Sequence, residues 1–146
     1  MKRNAIAIWH GDGQTGTGTL TSQSGVLNQQ PYSFNTRFVS EDGKAGTNPE
    51  ELIAAAHSGC FTMAFAFMLA GAGFKADEIR TTAYVDIQAK DGGFEIASIE
   101  LDLEAKIPGI DNATFQEIAA NAKANCPVSK ALSATPISLN AKLIVE

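Results

Sequence analysis

The spacing of apolar and polar residues changes along the chain, and each spacing predicts a different kind of element. Residues 11–25 carry five glycines among threonines and serines, which is typical of short strands joined by tight turns. Residues 49–72 show no alternation, and the second half of this stretch is apolar nearly all round. We therefore predict a β-rich first third followed by a long, central helix.

Capping residues mark both ends of this predicted helix. Asn48 can act as the N-cap, Pro49 suits the first helical position, and Glu51 stands three residues after the cap. Gly71 and Gly73 should end the helix. Its longest apolar run is shorter than the roughly 18–20 residues that a bilayer span requires. We interpret it as a buried helix and not as a membrane anchor.

The next segments predict a β-hairpin with one wet face. Residues 79–89 and 99–107 alternate apolar and polar side chains, and Asp91-Gly92-Gly93 supplies the turn between them. Alternation of this kind places apolar side chains on one face of the sheet and charged ones on the other.

The last third predicts a second helix and a final strand. Thr114 with Glu117 indicates the helix start, and an apolar stripe runs to Cys126-Pro127, with a short helical piece through Leu132. Residues 137–145 alternate again. The sum is an α+β fold with antiparallel sheets around the long apolar helix, and 146 residues suit one domain, 1–146.

Composition and charge exclude several classes of protein. With 45% hydrophobic and 18% charged residues, the chain is neither disordered nor fibrous. Its net charge of −5 and scattered Lys and Arg argue against nucleic acid and membrane surfaces as partners. The first apolar stretch is too short for a signal peptide, so we expect a cytoplasmic location. The early glycines lack a following lysine, so nucleotide binding is not indicated.

The two cysteines carry the main chemical question. Cys60 and Cys126 lie 66 positions apart, without the short spacings of zinc or thioredoxin-like sites. They are two inert buried thiols, a static disulfide that a reducing cytosol disfavours, or a reactive pair. Burial raises a thiol pKa, so a reactive Cys60 needs a positive partner. His57, one turn earlier, could instead form a Cys-His dyad, whereas Cys126 at a helix junction should be exposed enough to move.

Five segments carry a further signal. They are Ser24–Tyr32, Phe34–Phe38, Gly46–Leu52, Ala54–Phe61 and Cys126–Ser129. Together they resemble the family of osmotically inducible protein C (OsmC) and organic hydroperoxide resistance protein (Ohr), and more closely its OsmC branch. The most specific part is Asn-Pro-Glu-Glu-Leu, followed at a fixed distance by a cysteine and then by a distant Cys-Pro.

This resemblance implies a thiol peroxidase that acts in oxidative and osmotic stress defence. It implies an intertwined homodimer with OsmC-like domains and shared active sites, with organic hydroperoxides as substrates and hydrogen peroxide as a further candidate. By position, Cys60 matches the peroxidatic cysteine, Cys126 the resolving cysteine, Arg37 the arginine beside the thiolate, and Glu50 the glutamate that orients it. Glu51 adjoins Glu50 and could exchange roles with it, although Glu51 is also the natural capping residue.

The implied chemistry needs thiols alone. The peroxide converts Cys60 to a sulfenic acid, Cys126 condenses with it to a disulfide, and an external dithiol reduces that disulfide. The Ohr branch suggests a lipoyl-type dithiol, and no metal or organic cofactor is expected. Phe61, Phe65 and Met68 could supply apolar surroundings for an organic hydroperoxide. Two alternatives stay open: a Cys-His hydrolase that uses His57, and a non-enzymatic stress protein that binds a small molecule on the same dimer fold.

Helix geometry limits how this site can be built. Glu50 precedes Cys60 by ten residues, so on one straight helix they lie about 15 Å apart along the axis and about 80° apart in direction. Their side chains cannot span that separation. Either the helix breaks between them or a partner chain supplies Arg37 and Glu50, and the resemblance favours the partner.

Overall fold

Three short strands occupy the glycine-rich start of the chain. In the computed structural model, which describes residues 1–145, they are β1 (Ala5–His10), β2 (Thr17–Ser22) and β3 (Gln30–Tyr32). They form an antiparallel sheet in that order. The predicted β-rich first third is therefore confirmed.

A glycine in the middle strand lets two aromatic rings meet across this sheet. Gly18 pairs with Trp9 on one side and with Tyr32 on the other. The two rings pack edge to face with centroids 5.4 Å apart, and a Cβ on Gly18 would collide with both. The absent side chain thus allows the aromatic contact that covers the strand.

The long helix α1 (Pro49–Gly71) begins at the predicted cap. Asn48 Oδ1 accepts a hydrogen bond from the Glu51 backbone N–H at 2.8 Å. The Glu51 carboxylate accepts from the Thr47 hydroxyl at 2.7 Å instead of reaching back to the Asn48 N–H. The cap is confirmed, with this one change in the role of Glu51.

A glycine-dependent turn ends α1. Gly73 has a φ of +88°, which favours glycine, and the Phe74 N–H donates to the Leu69 carbonyl at 2.8 Å. Together with the Gly73 N–H, which donates to Ala70, this is a Schellman motif. The predicted end of the helix is confirmed.

Only one side of α1 is buried in the single chain. Phe61, Phe65 and Leu69 are at most 1% exposed, whereas Met63 is 64% and Phe67 73% exposed. Among residues 1–145, α1 is the one helix long and apolar enough to cross a membrane by length and composition. A core helix of a soluble protein meets the same criteria, and the buried side of α1 belongs to the hydrophobic core.

The chain divides into two compact units, Met1–Leu52 and Ile53–Glu146. The second unit contains a sheet of three strands in the order β4 (Glu78–Lys90), β5 (Gly93–Lys106) and β6 (Ile137–Leu143). Asp91 and Gly92, with φ of +50° and +81°, form the two-residue turn between β4 and β5. The predicted hairpin is confirmed, whereas the assignment of the whole chain to one domain stays a prediction.

The strand β6 departs from the purely antiparallel arrangement expected from sequence. It pairs with β5 in parallel, with Ile137 opposite Ile99. Two helices connect β5 to β6, and such a crossover returns the chain to the end of the sheet from which β5 started. Val145, expected at the end of this strand, lies beyond it and is 84% exposed.

Helix α2 (Asn112–Asn125) begins one turn earlier than Thr114 and Glu117 indicate, so that prediction is wrong. Its N-cap is Asp111, whose carboxylate accepts from the Thr114 backbone N–H at 2.7 Å and from the Thr114 hydroxyl at 2.9 Å. A carboxylate accepts two hydrogen bonds here, which makes Asp111 the better cap. The short helix α3 (Pro127–Ala131) follows, as predicted.

The core of the second unit lies between the helices and the inner face of the sheet. The apolar positions of β5 point into it, as predicted, and their charged neighbours point away. The fully buried apolar side chains are Phe61, Phe65, Leu69, Ile99, Leu101, Leu103, Ala105, Phe115, Ala119, Ala122 and Cys126. Phe65 of α1 meets Phe115 of α2 edge to face at 5.8 Å, which fixes one helix against the other.

Replacement of Asp111 by alanine should destabilise α2, because the Thr114 N–H at the start of the helix loses its acceptor. We expect the midpoint of thermal unfolding to fall by a few degrees, measured by circular dichroism. The exposed Glu117→Ala variant is the matched control and should leave the midpoint nearly unchanged. The reverse ranking would place the cap at Thr114 and Glu117 after all.

Candidate active site

The fold of the second unit brings the two cysteines together. Cys60 lies in the middle of α1, and Cys126 lies at the junction of α2 and α3. Their sulfur atoms are 3.0 Å apart, and both are free thiols. Because a disulfide bond measures about 2.05 Å, the two sulfurs need to approach by about 1 Å to bond. The arrangement meets the geometric requirement of a reactive pair.

The exposure of the two thiols differs from the sequence expectation. Cys60 is partly exposed, whereas Cys126 is 0% exposed and belongs to the core. The reason is that Cys126 stands four residues after Ala122 and so continues the buried stripe of α2. The expectation that Cys126 is an exposed, mobile thiol is therefore wrong, and Cys60 is the one that solvent reaches.

Burial raises the pKa of the Cys60 thiol, and its hydrogen bond with Cys126 raises that pKa further. The backbone N–H of Val128 opposes these effects without overcoming them. A thiol with a raised pKa holds little thiolate at neutral pH and is a poor nucleophile. Within the single chain, the contacts of Cys60 thus favour the neutral thiol, and a reactive Cys60 still needs a positive partner.

Cys126 experiences the opposite balance. Burial raises its pKa, but its hydrogen bond with Cys60 and the neighbouring backbone and hydroxyl groups of Ser129 outweigh burial and lower the pKa overall. Because the two sulfurs share a hydrogen bond, their titrations belong to the pair. The protonation of one thiol therefore affects the pKa of the other.

His57 is the other titratable group of this region, and it does not pair with Cys60. The ring is 0% exposed, and Nε2 lies 2.8 Å from the Ser129 hydroxyl oxygen. Nδ1 is buried and has no hydrogen-bond partner in the part of the chain that the structure describes. The Cys-His dyad that would support a hydrolase is therefore not formed. Burial lowers the pKa of His57, so the ring is neutral near pH 7.

Sequence reasoning missed the partner of His57. Ser129 is 72 residues away along the chain, and its side chain is almost fully buried. It stands in Cys126–Ser129, one of the segments that carry the family resemblance, and that is the signal that could have drawn attention to it. No periodicity relates it to His57.

In the first unit, Arg37 and Glu50 form a partly buried ion pair. Arg37 Nη2 lies 2.7 Å from Glu50 Oε1, and Arg37 Nε lies 3.2 Å from both carboxylate oxygens. The Glu50 side chain is 8% exposed and that of Arg37 36%. Bidentate geometry of this kind fixes the plane of the guanidinium. Glu51 points elsewhere, to Thr47, so the pair is formed with Glu50.

Local hydrogen bonds position Arg37. It lies in a short π-helical turn, Asn35–Val39, which the Ser40 N–H closes onto the Asn35 carbonyl at 2.9 Å. The Arg37 N–H itself donates to the Ser33 carbonyl at 3.1 Å. The guanidinium also lies over the Phe38 ring, 4.9 Å from its centroid. Asn48, the cap of α1, donates from Nδ2 to the Thr36 carbonyl at 3.5 Å. The turn that carries Arg37 and the helix start that carries Glu50 are thus tied together.

The aromatic residues next to Cys60 have a different role from the one expected. Phe61 and Phe65 are 0% exposed and stack in the core with parallel rings 6.2 Å apart. They therefore hold α1 in place and do not line a surface that a substrate reaches. Among residues 1–145, no group of three or more His, Cys, Asp or Glu side chains is arranged to hold a metal ion.

Comparison with known proteins identifies the family. The family model described as OsmC-like protein matches residues 41–142. The chain belongs to the OsmC family. Peroxiredoxin OsmC of Escherichia coli K12 is 55% identical over 134 residues, which cover 92% of each chain. Organic hydroperoxide resistance protein OhrB of Bacillus subtilis 168 is 32% identical over 115 residues, which cover 78% of this chain and 80% of that protein.

The fold of this OsmC-family chain also matches a solved relative. The crystal structure of Bacillus subtilis OhrB superposes with a TM-score of 0.68 at 26% identity, covering 97% of this chain and 98% of the other. The α+β arrangement expected from sequence, with its long apolar helix, is therefore confirmed as that of OsmC and Ohr proteins.

The buried, neutral His57 should make stability depend on pH. Because its pKa in the folded chain lies below its usual value of 6.5, the unfolded chain binds more protons as pH falls through that value. The free energy of unfolding should therefore decrease between about pH 7 and 5, by at most about 1.4 kcal/mol per pH unit from this group. Urea unfolding at several pH values measures the slope. His57→Gln, which cannot titrate there, should flatten it, and an unchanged slope would contradict the prediction.

Proposed function

We propose that this OsmC-family chain is a thiol peroxidase that reduces organic hydroperoxides in defence against peroxide stress. The named activities of its relatives support this proposal. The observation that carries it is the pair of free thiols, Cys60 and Cys126, with sulfurs 3.0 Å apart and only Cys60 open to solvent. In such a pair, a peroxide can reach the first cysteine, and the second lies close enough to form a disulfide with it.

The first step oxidises Cys60, the peroxidatic cysteine. Its thiolate attacks one oxygen of the hydroperoxide, the O–O bond breaks, and the alkoxide leaves and takes up a proton as the alcohol. Cys60 loses two electrons and becomes a sulfenic acid. Cys126 lies beneath it, buried, and is thereby shielded from direct attack by peroxide.

The second step joins the cysteines. Cys126, the resolving cysteine, attacks the Cys60 sulfur, the S–O bond breaks, and water leaves as the disulfide forms. The short distance between the sulfurs favours this step over further oxidation of the sulfenic acid. An external dithiol, which we propose to be of the lipoyl type, then reduces the disulfide by exchange. The thiols supply all the electrons, so the cycle uses no cofactor, and it suits a reducing cytoplasm.

Arg37 supplies the positive charge that Cys60 lacks. A guanidinium beside the sulfur favours the thiolate and stabilises the alkoxide as it leaves. Glu50 engages Nε and Nη2 of Arg37, so Nη1 is outside this ion pair and can face a second anion. Glu50 acts as the positioning residue, because it fixes the plane of the guanidinium.

We propose that Arg37 and Glu50 act on Cys60 of a second copy of the chain. Helix α1 is continuous from Pro49 to Gly71, so no break brings Glu50 towards the cysteine of its own helix. A second copy could also cover Met63 and Phe67 on the exposed apolar side of α1. An intertwined homodimer with shared sites meets both requirements.

Substitution of each cysteine should separate the two steps. Cys60→Ser should abolish the consumption of cumene hydroperoxide, because the nucleophile is lost. Cys126→Ser should consume about one equivalent and then stall without a small thiol, because the sulfenic acid cannot be resolved. Peroxide assays with thiol titration measure both outcomes. Equal residual turnover in the two variants would refute these roles, and wild-type thiols that survive an equivalent of hydroperoxide would favour the non-enzymatic alternative.

Mixing two inactive variants tests whether the site is shared. Cys60→Ser and Arg37→Ala chains, combined under conditions that allow subunit exchange, should form heterodimers with one intact site. Activity should return toward half of the wild-type value per heterodimer, because Cys60 of one chain meets Arg37 of the other. Native mass spectrometry measures the exchange. A fully exchanged mixture without activity would show that each chain builds its own site.

A further inference from the structure

The disulfide of the proposed cycle joins one sulfur that solvent reaches to one that lies in the core. Cys60 is partly exposed, whereas Cys126 is 0% exposed and belongs to the hydrophobic core. A reductant must attack one of these two sulfurs to open the bond. The rate of such an attack depends on access to the sulfur, so the difference in burial bears on which cysteine is attacked.

Backbone hydrogen bonds hold Cys126 in its buried position. Its N–H donates to the Ala122 carbonyl of α2 at 2.9 Å, and its carbonyl accepts from the Lys130 N–H of α3 at 3.0 Å. Exposure of the Cys126 sulfur would therefore require both helices to unwind at their junction. A second copy that packs on α1 would cover further surface and would not uncover Cys126. The sulfur of Cys126 is thus buried in the single chain and in an assembled dimer.

Formation of the disulfide needs only a small movement of the two sulfurs. They are 3.0 Å apart and bond after an approach of about 1 Å. Rotation about the side-chain bonds can supply this movement while both helices stay intact. The oxidised protein therefore keeps the same order of burial, with the Cys60 sulfur outside and the Cys126 sulfur inside.

The chemistry of exchange makes this order decisive. A thiolate attacks one sulfur of a disulfide, expels the other, and forms a mixed disulfide with the sulfur that it attacked. An attack on Cys126 would have to come through the core that encloses its sulfur. An attack on Cys60 can come from solvent, on the same path that the hydroperoxide uses.

We propose that the reductant opens the disulfide at Cys60, and that the displaced Cys126 then selects for reductants that carry a second thiol. The inference rests on the proposed function and deepens it. It names the sulfur that receives the reductant, and it names the buried cysteine as the residue that determines which class of thiol completes the cycle.

Reduction by a dithiol takes two exchanges. In the first, one thiolate of the reductant attacks the Cys60 sulfur, the bond between the cysteines breaks, and Cys126 leaves with the electron pair and takes up a proton. In the second, the other thiolate of the reductant attacks its own neighbouring sulfur in the mixed disulfide. The bond to Cys60 breaks, Cys60 leaves as a thiolate, and the reductant closes into a cyclic disulfide. The reductant loses two electrons and the protein gains two.

The displaced Cys126 competes with the second exchange. Core packing keeps its sulfur beside that of Cys60, so it can attack Cys60 again, expel the reductant and restore the starting disulfide. A group held in place reacts far faster than the same group supplied from dilute solution. A monothiol needs a second molecule from solution and loses this competition, whereas a dithiol carries its second thiol on the same molecule.

Peptide mapping of the mixed disulfide locates the attacked sulfur. The wild-type chain is oxidised with diamide, which joins the cysteines without a peroxide, and is then mixed briefly with 2-mercaptoethanol. After an acid quench, free thiols are labelled with N-ethylmaleimide under denaturing conditions and the peptides are analysed by mass spectrometry. Mercaptoethanol on Cys60 should exceed that on Cys126 by about tenfold or more, because only Cys60 is accessible. In urea, which removes the burial, the two adducts should form in comparable amounts.

Turnover with cumene hydroperoxide tests the selection by Cys126. With 2-mercaptoethanol as the reductant, Cys126→Ser should turn over about fivefold or more faster than wild type, because nothing recaptures the mixed disulfide on Cys60. With dithiothreitol this advantage of the variant should shrink, because the wild type then completes its cycle. Thr62→Val is the matched control, since it removes the 2.7 Å hydrogen bond between the Thr62 and Thr81 hydroxyls and keeps both cysteines. It should behave like wild type with both reductants.

Several results would overturn the inference. Mercaptoethanol found mainly on Cys126 of the folded chain, or distributed as it is in urea, would refute attack at Cys60. A wild-type chain that matches Cys126→Ser with 2-mercaptoethanol would refute the recapture, and cysteines that diamide fails to join would refute both parts. These results would leave normal consumption of hydroperoxide, and with it the peroxidase activity, intact. A wild-type chain that consumes no hydroperoxide would refute the peroxidase activity, while mapping of the diamide-made disulfide would still decide which sulfur is attacked.

Discussion

The contact of α1 with α2 in the core of the second unit is the constraint on which the thiol chemistry depends. Phe65 of α1 packs against Phe115 of α2, and this contact fixes the two helices that carry the cysteines. Interiors are packed closely enough that a shift of one element is resisted by all its neighbours. The 3.0 Å separation of the sulfurs therefore depends on the packing of the whole core. Burial of Cys126 follows from the same packing, because it continues the stripe that α2 presents to α1 and the sheet.

Two polar pairs, His57 with Ser129 and Arg37 with Glu50, carry a cost that the apolar core does not. His57 with Ser129 leaves one ring nitrogen unsatisfied, and Glu50 holds a carboxylate at 8% exposure. Such groups are seldom retained for stability alone, since apolar side chains of the same size usually serve as well. Each pair instead fixes the direction of one group, the guanidinium of Arg37 or the hydroxyl of Ser129.

Local interactions explain what the sequence could predict. Asn48 caps α1 through a bond to a residue three positions on, and Gly73 ends it through its own backbone conformation, so both signals are complete within a few residues. The alternation in β5 is equally local, because one face of the strand must be apolar wherever it packs. The sequence prediction placed the start of α2 at Thr114 because Asp111 and Thr114 are both residue types that cap helices and lie three positions apart. The parallel pairing of β6 with β5 and the contact of His57 with Ser129 join segments that are far apart in the chain. They depend on the path of the chain between those segments, which no local sequence pattern specifies.

One arrangement would account for two independent observations on α1. The first is electrostatic: burial and Cys126 raise the pKa of Cys60, so the single chain alone leaves its own nucleophile protonated. The second is hydrophobic: Met63 and Phe67 expose apolar surface on the same helix. Solvent removes neither effect, since partial burial of the thiol disfavours the thiolate and exposed apolar surface is unfavourable in water. A second copy that covers the apolar side of α1 and brings its own Arg37 to Cys60 would resolve both. The nucleophile would then become reactive only in the assembled protein.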